Sequence, residues 1–359
     1  MLIKNGRVHV GNGQVLENHG ILVNNGKIEK IGQNLECENI EVIDAQGKEI
    51  FPGFIDPVSS YGCIDTSYSV KDNDEISKPI NPELKIKYSF NHAEIMMEEL
   101  YKVGITAIGA APGNKNIIGG QMAVYKTWGQ NSLKMLVKEP VGLKGSVINP
   151  VKETYGERKT LPMTKMGIFN ELDSFLAENK EKLPLFITAN TATEINALIN
   201  ITSKYDVELI ICGGFQADRC IEYIKEANAS IILGEQTELT AKNYNNTDIY
   251  KIAQLQKEGV LVSFTLTADY GPEGKMKYLW NAIEFYKAGV DSEDVLKMMT
   301  INPAKMLGID HKLGTIEEGK EADIVIYSNN PIEYYNSRVL YTIVGGKVAY
   351  REGRNDRCC

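Results

Sequence analysis

The chain has 359 residues, 43% hydrophobic and 24% charged, a composition that excludes a disordered or fibrous protein and suits one large domain or two of moderate size. Lys and Arg number 39 against 47 Asp and Glu, a net charge of −8, which argues against a polyanion surface and leaves nucleic acid out of the expected partners. The four histidines, His9, His19, His92 and His311, limit whatever metal chemistry is available.

Short strands broken by turns come first: LIKNGRVHV, a Gly11-Asn12-Gly13 turn, GILVNNGKIEKIG with an Asn25-Gly26 hairpin, and IEVIDAQGKEIF. From 52 to 307, apolar strands alternate with amphipathic helices. The strands are read at EIFPGFID, ITAIGAAP, PLFITANT, VELIICGG, ASIILGE and VLVSFTLTAD, each as apolar as a strand buried on both faces should be. Helical spacing joins Ile195, Leu198 and Ile199, then Ala217, Cys220, Ile221, Ile224 and Ala227, then Val295, Leu296 and Met299. NHAEIMMEELYKVG reads as a helix carrying His92, and the Gly-, Pro- and Lys-rich stretch 109–162 as long loops over one face of the domain. ADIVIYS, VLYTIVGG and KVAYREG are strands again.

Repeated βα units favour a parallel α/β barrel over an open doubly wound sheet. The expected fold is therefore α/β: a (β/α)8 TIM-type barrel over 52–307, with 1–51 and 308–359 combining into a small β-sandwich. Six cysteines without a CxxC pair read as free thiols of a reducing compartment. No signal-like apolar region and no apolar run of roughly 18 residues is seen, so the expectation is a cytoplasmic protein without a membrane partner.

GILVNNGKIEKIG, EIFPGFID, NIIGGQMAVYKTWG, KEPVGLKGS, MTINPAKMLGI and LGTIEEGKEADIVIYSNNP followed by VGGKVAYREG together resemble the amidohydrolase superfamily, nearest to its imidazolonepropionase-like branch. The resemblance implies hydrolysis of C–N bonds by one or two divalent metals at the C-terminal ends of barrel strands. It also implies the ligands: an HxH pair after the first strand, a carboxylated Lys or a Glu, a His on each of two later strands, and an Asp at the last. Here Val58 and Ser60 stand at the HxH positions. A later histidine falls on Thr188 or Asn190, Cys212-Gly213-Gly214 replaces an expected Glu-His-Gly, and Thr267, or Asp269 with a two-residue shift, stands at the last-strand Asp. Valine cannot ligate a metal, and a neutral serine hydroxyl is a poor substitute for imidazole.

The remaining candidates each carry two readings. Asp269 is an inherited general base or a turn residue of ADYGPEG, and Asp56 a catalytic carboxylate or a backbone acceptor at the barrel mouth. Lys126 and Lys144 are carboxylated lysines or loop anchors. Cys212, like Cys63, is a nucleophile or a buried thiol. Gly119, Gly120, Gln121, Tyr125, Lys126 and Trp128 form a ligand wall or a folded loop. The expected pocket thus comprises Asp56, Ser60, Thr188, Asn190, Cys212, Gln121 and Lys126, with no metal ligands. The leading expectation is an amidohydrolase-like protein that has lost metal-dependent C–N hydrolysis and retains a small-molecule-binding or subunit role, needing no cofactor, as a homo-oligomer or the partner of an intact paralogue. The alternative is an active hydrolase of cyclic amide or N-acyl bonds with a reduced site, the one case in which a divalent metal is expected.

Overall fold

Strands from both ends of the chain share one eight-stranded sheet in the computed structural model, which describes residues 1–65, 70–179, 181–234, 247–266 and 274–353. Its order is Lys347–Arg351, Val339–Val344, Ile324–Tyr327, Glu49–Pro52, Leu2–His9, Val15–Asn24 and Lys27–Gly32, with Val42–Asp44 also pairing on Leu2–His9. The Asn25-Gly26 hairpin forms as expected: both residues have positive φ, 49° and 78°, and Asn24 faces Lys27 across the turn. Two consecutive left-handed residues give a turn whose twist matches the flanking strands. Ile3, Ile21, Ile28, Ile50, Ile324 and Ile343 all bury on this sheet, joining the first and last segments of the chain through one apolar cluster.

The middle of the chain forms two larger sheets beside a two-stranded ribbon of Ile64–Asp65 and Val70–Lys71. One is parallel through Leu143–Ser146, Leu185–Ala189, Leu209–Gly213, Ser230–Leu233 and Val262–Phe264, with Ile118–Gln121 antiparallel at its edge. The other runs Leu136–Lys138, Ala123–Lys126, Ile105–Ala110 and Phe54–Ser59. They meet at two seams. At one, Met122 N donates to Gly142 O (2.9 Å) and Val141 N to Met122 O (3.0 Å). At the other, the Thr265 hydroxyl reaches Asp56 and Val58. Strand periodicity then sorts the side chains. Ile55, Ala107 and Val124 from one sheet and Phe186, Ile210, Cys212 and Ile232 from the other belong to a single apolar cluster. The intervening Ile187, Ile211 and Ile231 pack in a second cluster with Ile195, Leu198 and Ile224 of the helices.

The segment read as loops over 109–162 instead contains strands, because the Gly-rich runs IGGQ and LKGS pair with each other. Gly145 is obligatory there, since a Cβ would lie 1.9 Å from Ile117 O. The helix expected through His92 begins only at Met96, and the expected 217–227 helix divides into a 3₁₀ turn, Ala217–Arg219, and Ile221–Glu226. No helix among the described residues is long and apolar enough to cross a membrane.

Candidate functional site

Register places Ser146, Thr188, Cys212, Ile232 and Ser263 side by side across the parallel sheet, near the C-terminal ends of their strands. All but one of these side chains is hydroxyl- or thiol-bearing, and every one is fully or almost fully buried. Lys144, fully buried one level below, sends its Nζ up to this layer. It donates to Thr188 Oγ1 at 2.9 Å, to Asn114 Oδ1 at 2.7 Å and to Gly145 O at 3.1 Å, while Thr188 Oγ1 donates to the same Asn114 Oδ1 at 2.7 Å. The three side chains close a hydrogen-bonded triangle. An ammonium is three donors and no acceptor, so in this state Lys144 fills the space of a ligand site rather than forming one.

Asp56 occupies the opposite seam. Its carboxylate is completely buried; Oδ1 accepts from the Thr265 hydroxyl and from Leu266 N at 3.3 Å, and Oδ2 has no hydrogen-bond partner among the described residues. Burial pushes its pKa up to about 7, and the donors from Thr265 and Leu266 only partly counter that rise. Tyr278 seals the strand beside it, its hydroxyl donating to Ile55 O at 2.9 Å.

The other expected residues divide. Ser60 is half-buried and its Oγ accepts from Asn73 Nδ2 at 3.0 Å. Asn190 follows its strand and is fixed by Glu194, which accepts from Asn190 N (2.9 Å) and Thr191 N (3.0 Å) within a capping box that starts the helix Ala192–Thr202. Asn190 Oδ1 is buried without a partner among the described residues, and Gly213 is glycine for a visible reason: it has φ +83°, and a Cβ there would sit 2.2 Å from that oxygen. Cys212 is fully buried beside Thr188. Gln121 lies on the edge strand, its amide donating to Pro82 O at 3.1 Å. Lys126 turns away from the Lys144 layer and pairs with Asp323 (2.7 Å) and Glu321 (2.9 Å), anchoring the middle strands to the terminal sheet. Asp269 and Thr267 lie outside the described residues.

None of the four histidines stands on a strand of the middle sheets. His9 is buried between Glu49 and Glu293, Nε2 and Nδ1 lying 2.7 and 2.5 Å from their carboxylates. His19 is in the strand Val15–Asn24 and His311 is exposed after the helix Ile301–Met306. His92 precedes its helix, in a turn tied to the end of the first middle strand by Asn91 N to Gly62 O and Gly62 N to Glu94 Oε2, both 2.6 Å. The divalent metal that the sequence resemblance implies does not fit the described donors. Val58 packs in the interior apolar cluster, Lys144 presents a cation, and no group of three or more His, Cys, Asp or Glu among the described residues is placed to hold an ion.

Sequence reasoning missed Asn114, Thr265 and Asn73, whose roles depend on partners 74, 209 and 13 residues away. Nothing local marks them.

Residues 175–349 match the amidohydrolase family. The chain is 29% identical to a solved amidohydrolase from Thermotoga maritima MSB8, with a TM-score of 0.88 over 98% of this chain and 99% of that one. It is similar to the dihydroorotase of Aquifex aeolicus, 23% identical over 98% of this chain and 99% of the relative, and to the imidazolonepropionase of Thermoplasma acidophilum, 24% identical over 95% and 91%. These likenesses support the amidohydrolase superfamily and a hydrolase family for the chain.

Proposed function

We propose that this chain is an amidohydrolase-superfamily protein of the imidazolonepropionase-like branch that has lost metal-dependent C–N hydrolysis and binds a small molecule at the C-terminal face of its middle strands. The observation that carries this reading is the Lys144–Asn114–Thr188 triangle. In it Thr188, at a position where the resemblance calls for a histidine, is bonded to the Lys144 amine and to Asn114, and Lys144, a candidate for the carboxylated lysine, has its Nζ committed to Asn114, Thr188 and Gly145 O; Val58 and Ser60 stand at the two histidine positions of the first strand. Residues 52–307 form, in this reading, a closed barrel made from the two middle sheets. Residues 1–51 and 308–359 form the sandwich beside it, in a cytoplasmic protein that acts as a homo-oligomer or with an intact paralogue.

A second reading has one specific support. Asp56 is a buried carboxyl with its pKa raised to about 7 and one oxygen without a partner among the described residues, properties suited to a general base in a hydrolase with a reduced site. A screen of cyclic amides, N-acyl amino acids and dipeptides separates the two. Turnover abolished by Asp56→Asn or Asp269→Asn supports the hydrolase. Saturable binding without turnover supports the binding protein, and failure of every compound to bind removes it.

A further inference from the structure

Among the described residues, the helix Ser292–Met299 has one polar link to the strands of the terminal sheet: Glu293 Oε1 in its first turn lies 2.5 Å from His9 Nδ1. The rest of the helix belongs to the middle of the chain. Val295, Leu296, Met298 and Met299 are fully buried, and Ser263 Oγ donates to Met298 O at 2.7 Å. On the other side of the ring, His9 Nε2 lies 2.7 Å from Glu49 Oε2. A carboxylate oxygen accepts and does not donate, so a ring bonded to both must carry a proton on each nitrogen and a positive charge. The ring is 2% exposed and stacks on Phe51, which shields it from solvent that could replace a lost partner.

The two carboxylates are not held equally. Glu49 stands on a strand paired along both edges, with Leu2–His9 and with Ile324–Tyr327. The Arg7 guanidinium, beside His9 on its own strand, lies 3.8 Å from the second oxygen of Glu49 and 2.8 Å from Glu17 of Val15–Asn24. Glu293 has less. Its Oε2 has no partner among the described residues, and Lys297, the only cation of its helix, is turned to Asp294 at 2.9 Å. Its place in the first turn, at the positive end of the helix dipole, suits a carboxylate that moves outward.

We infer that His9 is a proton-operated latch, which holds the first turn of Ser292–Met299 to the terminal sheet while both ring nitrogens are protonated and releases Glu293 when one proton is lost to solvent. The neutral ring keeps its Nε2–H on Glu49. Its bare Nδ1 then faces the Glu293 carboxylate, lone pair against lone pair in a buried site, and the helix turn is the part free to move. Burial opposes charge on the ring, and the hydrogen bonds to Glu293 and Glu49 outweigh it, so the latch opens only above the usual imidazole range. The latch is independent of the small-molecule role proposed above.

Hydrogen exchange of the full chain, read by mass spectrometry at pH 6 and pH 9 as protection factors so that base catalysis of exchange cancels, tests it. Peptides covering 292–299 are expected to lose about tenfold in protection at pH 9, the equivalent of one hydrogen bond to a charged group. Peptides covering Glu49–Pro52 and Leu185–Ala189 should keep theirs. Glu293→Gln supplies the rescue: the new amide offers NH₂ to a bare Nδ1 and its oxygen to a protonated one, so protection over 292–299 should be the same at both pH values. Equal protection at both pH values in the parent overturns the latch, as does a parallel loss in every peptide or a loss over Glu49–Pro52 alone. A loss over 292–299 that persists in Glu293→Gln also overturns it and assigns the effect to another titrating group such as Asp56. A second readout needs only the parent and an assignment variant. The His9 imidazole nitrogen shifts, assigned by their absence in His9→Gln, should pass from the doubly protonated ring to the Nε2–H tautomer, and an Nδ1–H tautomer would contradict release of Glu293.

Discussion

The Thr265 hydroxyl has two close acceptors, Asp56 Oδ1 and Val58 O, a third at 3.4 Å in Leu266 O, and one proton to give. That mismatch is resolved when Asp56 is protonated and donates to Thr265, which then serves Val58. The seam between the first and last middle strands is therefore expected to favour the neutral acid, in line with a pKa raised to about 7 by burial. An acid whose folded pKa exceeds its unfolded value holds its proton more tightly when folded. Its contribution is complete below about pH 4 and is lost as pH rises to about 7, by at most on the order of 4 kcal/mol. Urea unfolding across that window should show falling stability in the parent and a flatter profile in Asp56→Asn, with the variant the more stable of the two at pH 8.

Removing the donor tests the same seam from the other side. Thr265→Val keeps the shape and deletes the hydroxyl, leaving Val58 O without it. The expected cost is about 1–3 kcal/mol in unfolding free energy at pH 7, and a cost near zero would show that the seam does not depend on this bond.

His9 links the terminal sheet to the helix Ser292–Met299 through Glu49 and Glu293 and stacks on Phe51 with ring centroids 4.3 Å apart. Burial alone would lower its pKa, but the hydrogen bonds to Glu293 and Glu49 outweigh burial and the net shift is upward. The imidazolium therefore contributes stability that is complete below its unfolded pKa of about 6.5 and lost as pH climbs through the folded one. His9→Gln should cost about 3 kcal/mol at pH 6, with a smaller difference from the parent at pH 9. A pH-independent difference would assign His9 a packing role only.

Gly213→Ala places a methyl on Asn190 Oδ1 in a left-handed backbone position. A loss of about 1–3 kcal/mol is expected in thermal or chemical unfolding. Adding Asn190→Ala should recover the steric part and leave the backbone part, so full recovery would mean that φ at 213 carries no cost.

What the sequence disclosed and what it hid follow one physical division. Local signals are carried by neighbours: the Asn25-Gly26 turn, the runs LFITA and LIICG, and the Thr191 and Glu194 capping pair all lie within a few residues of what they specify. Lys126 and Lys144 are the counterexample. Each sits in a Gly-rich stretch with no alternation, and the choice between them depends on Asp323 for one and Asn114 for the other, partners that no local pattern names. Val58 and Ser60 were legible only as departures from a resemblance. The Asn73 Oδ1 acceptor, which has no partner among the described residues, was not legible at all, because an unmade hydrogen bond leaves no mark in sequence.

Metal content bears most directly on the loss of metal-dependent hydrolysis. Full-length protein, prepared with zinc, manganese and iron supplied and then dialysed, should retain none of the three in stoichiometric amount by plasma mass spectrometry, and Lys144→Ala should not change that result. One or more equivalents retained per chain, released when Lys144 or Asp56 is replaced, would contradict it and restore the metal-dependent hydrolase.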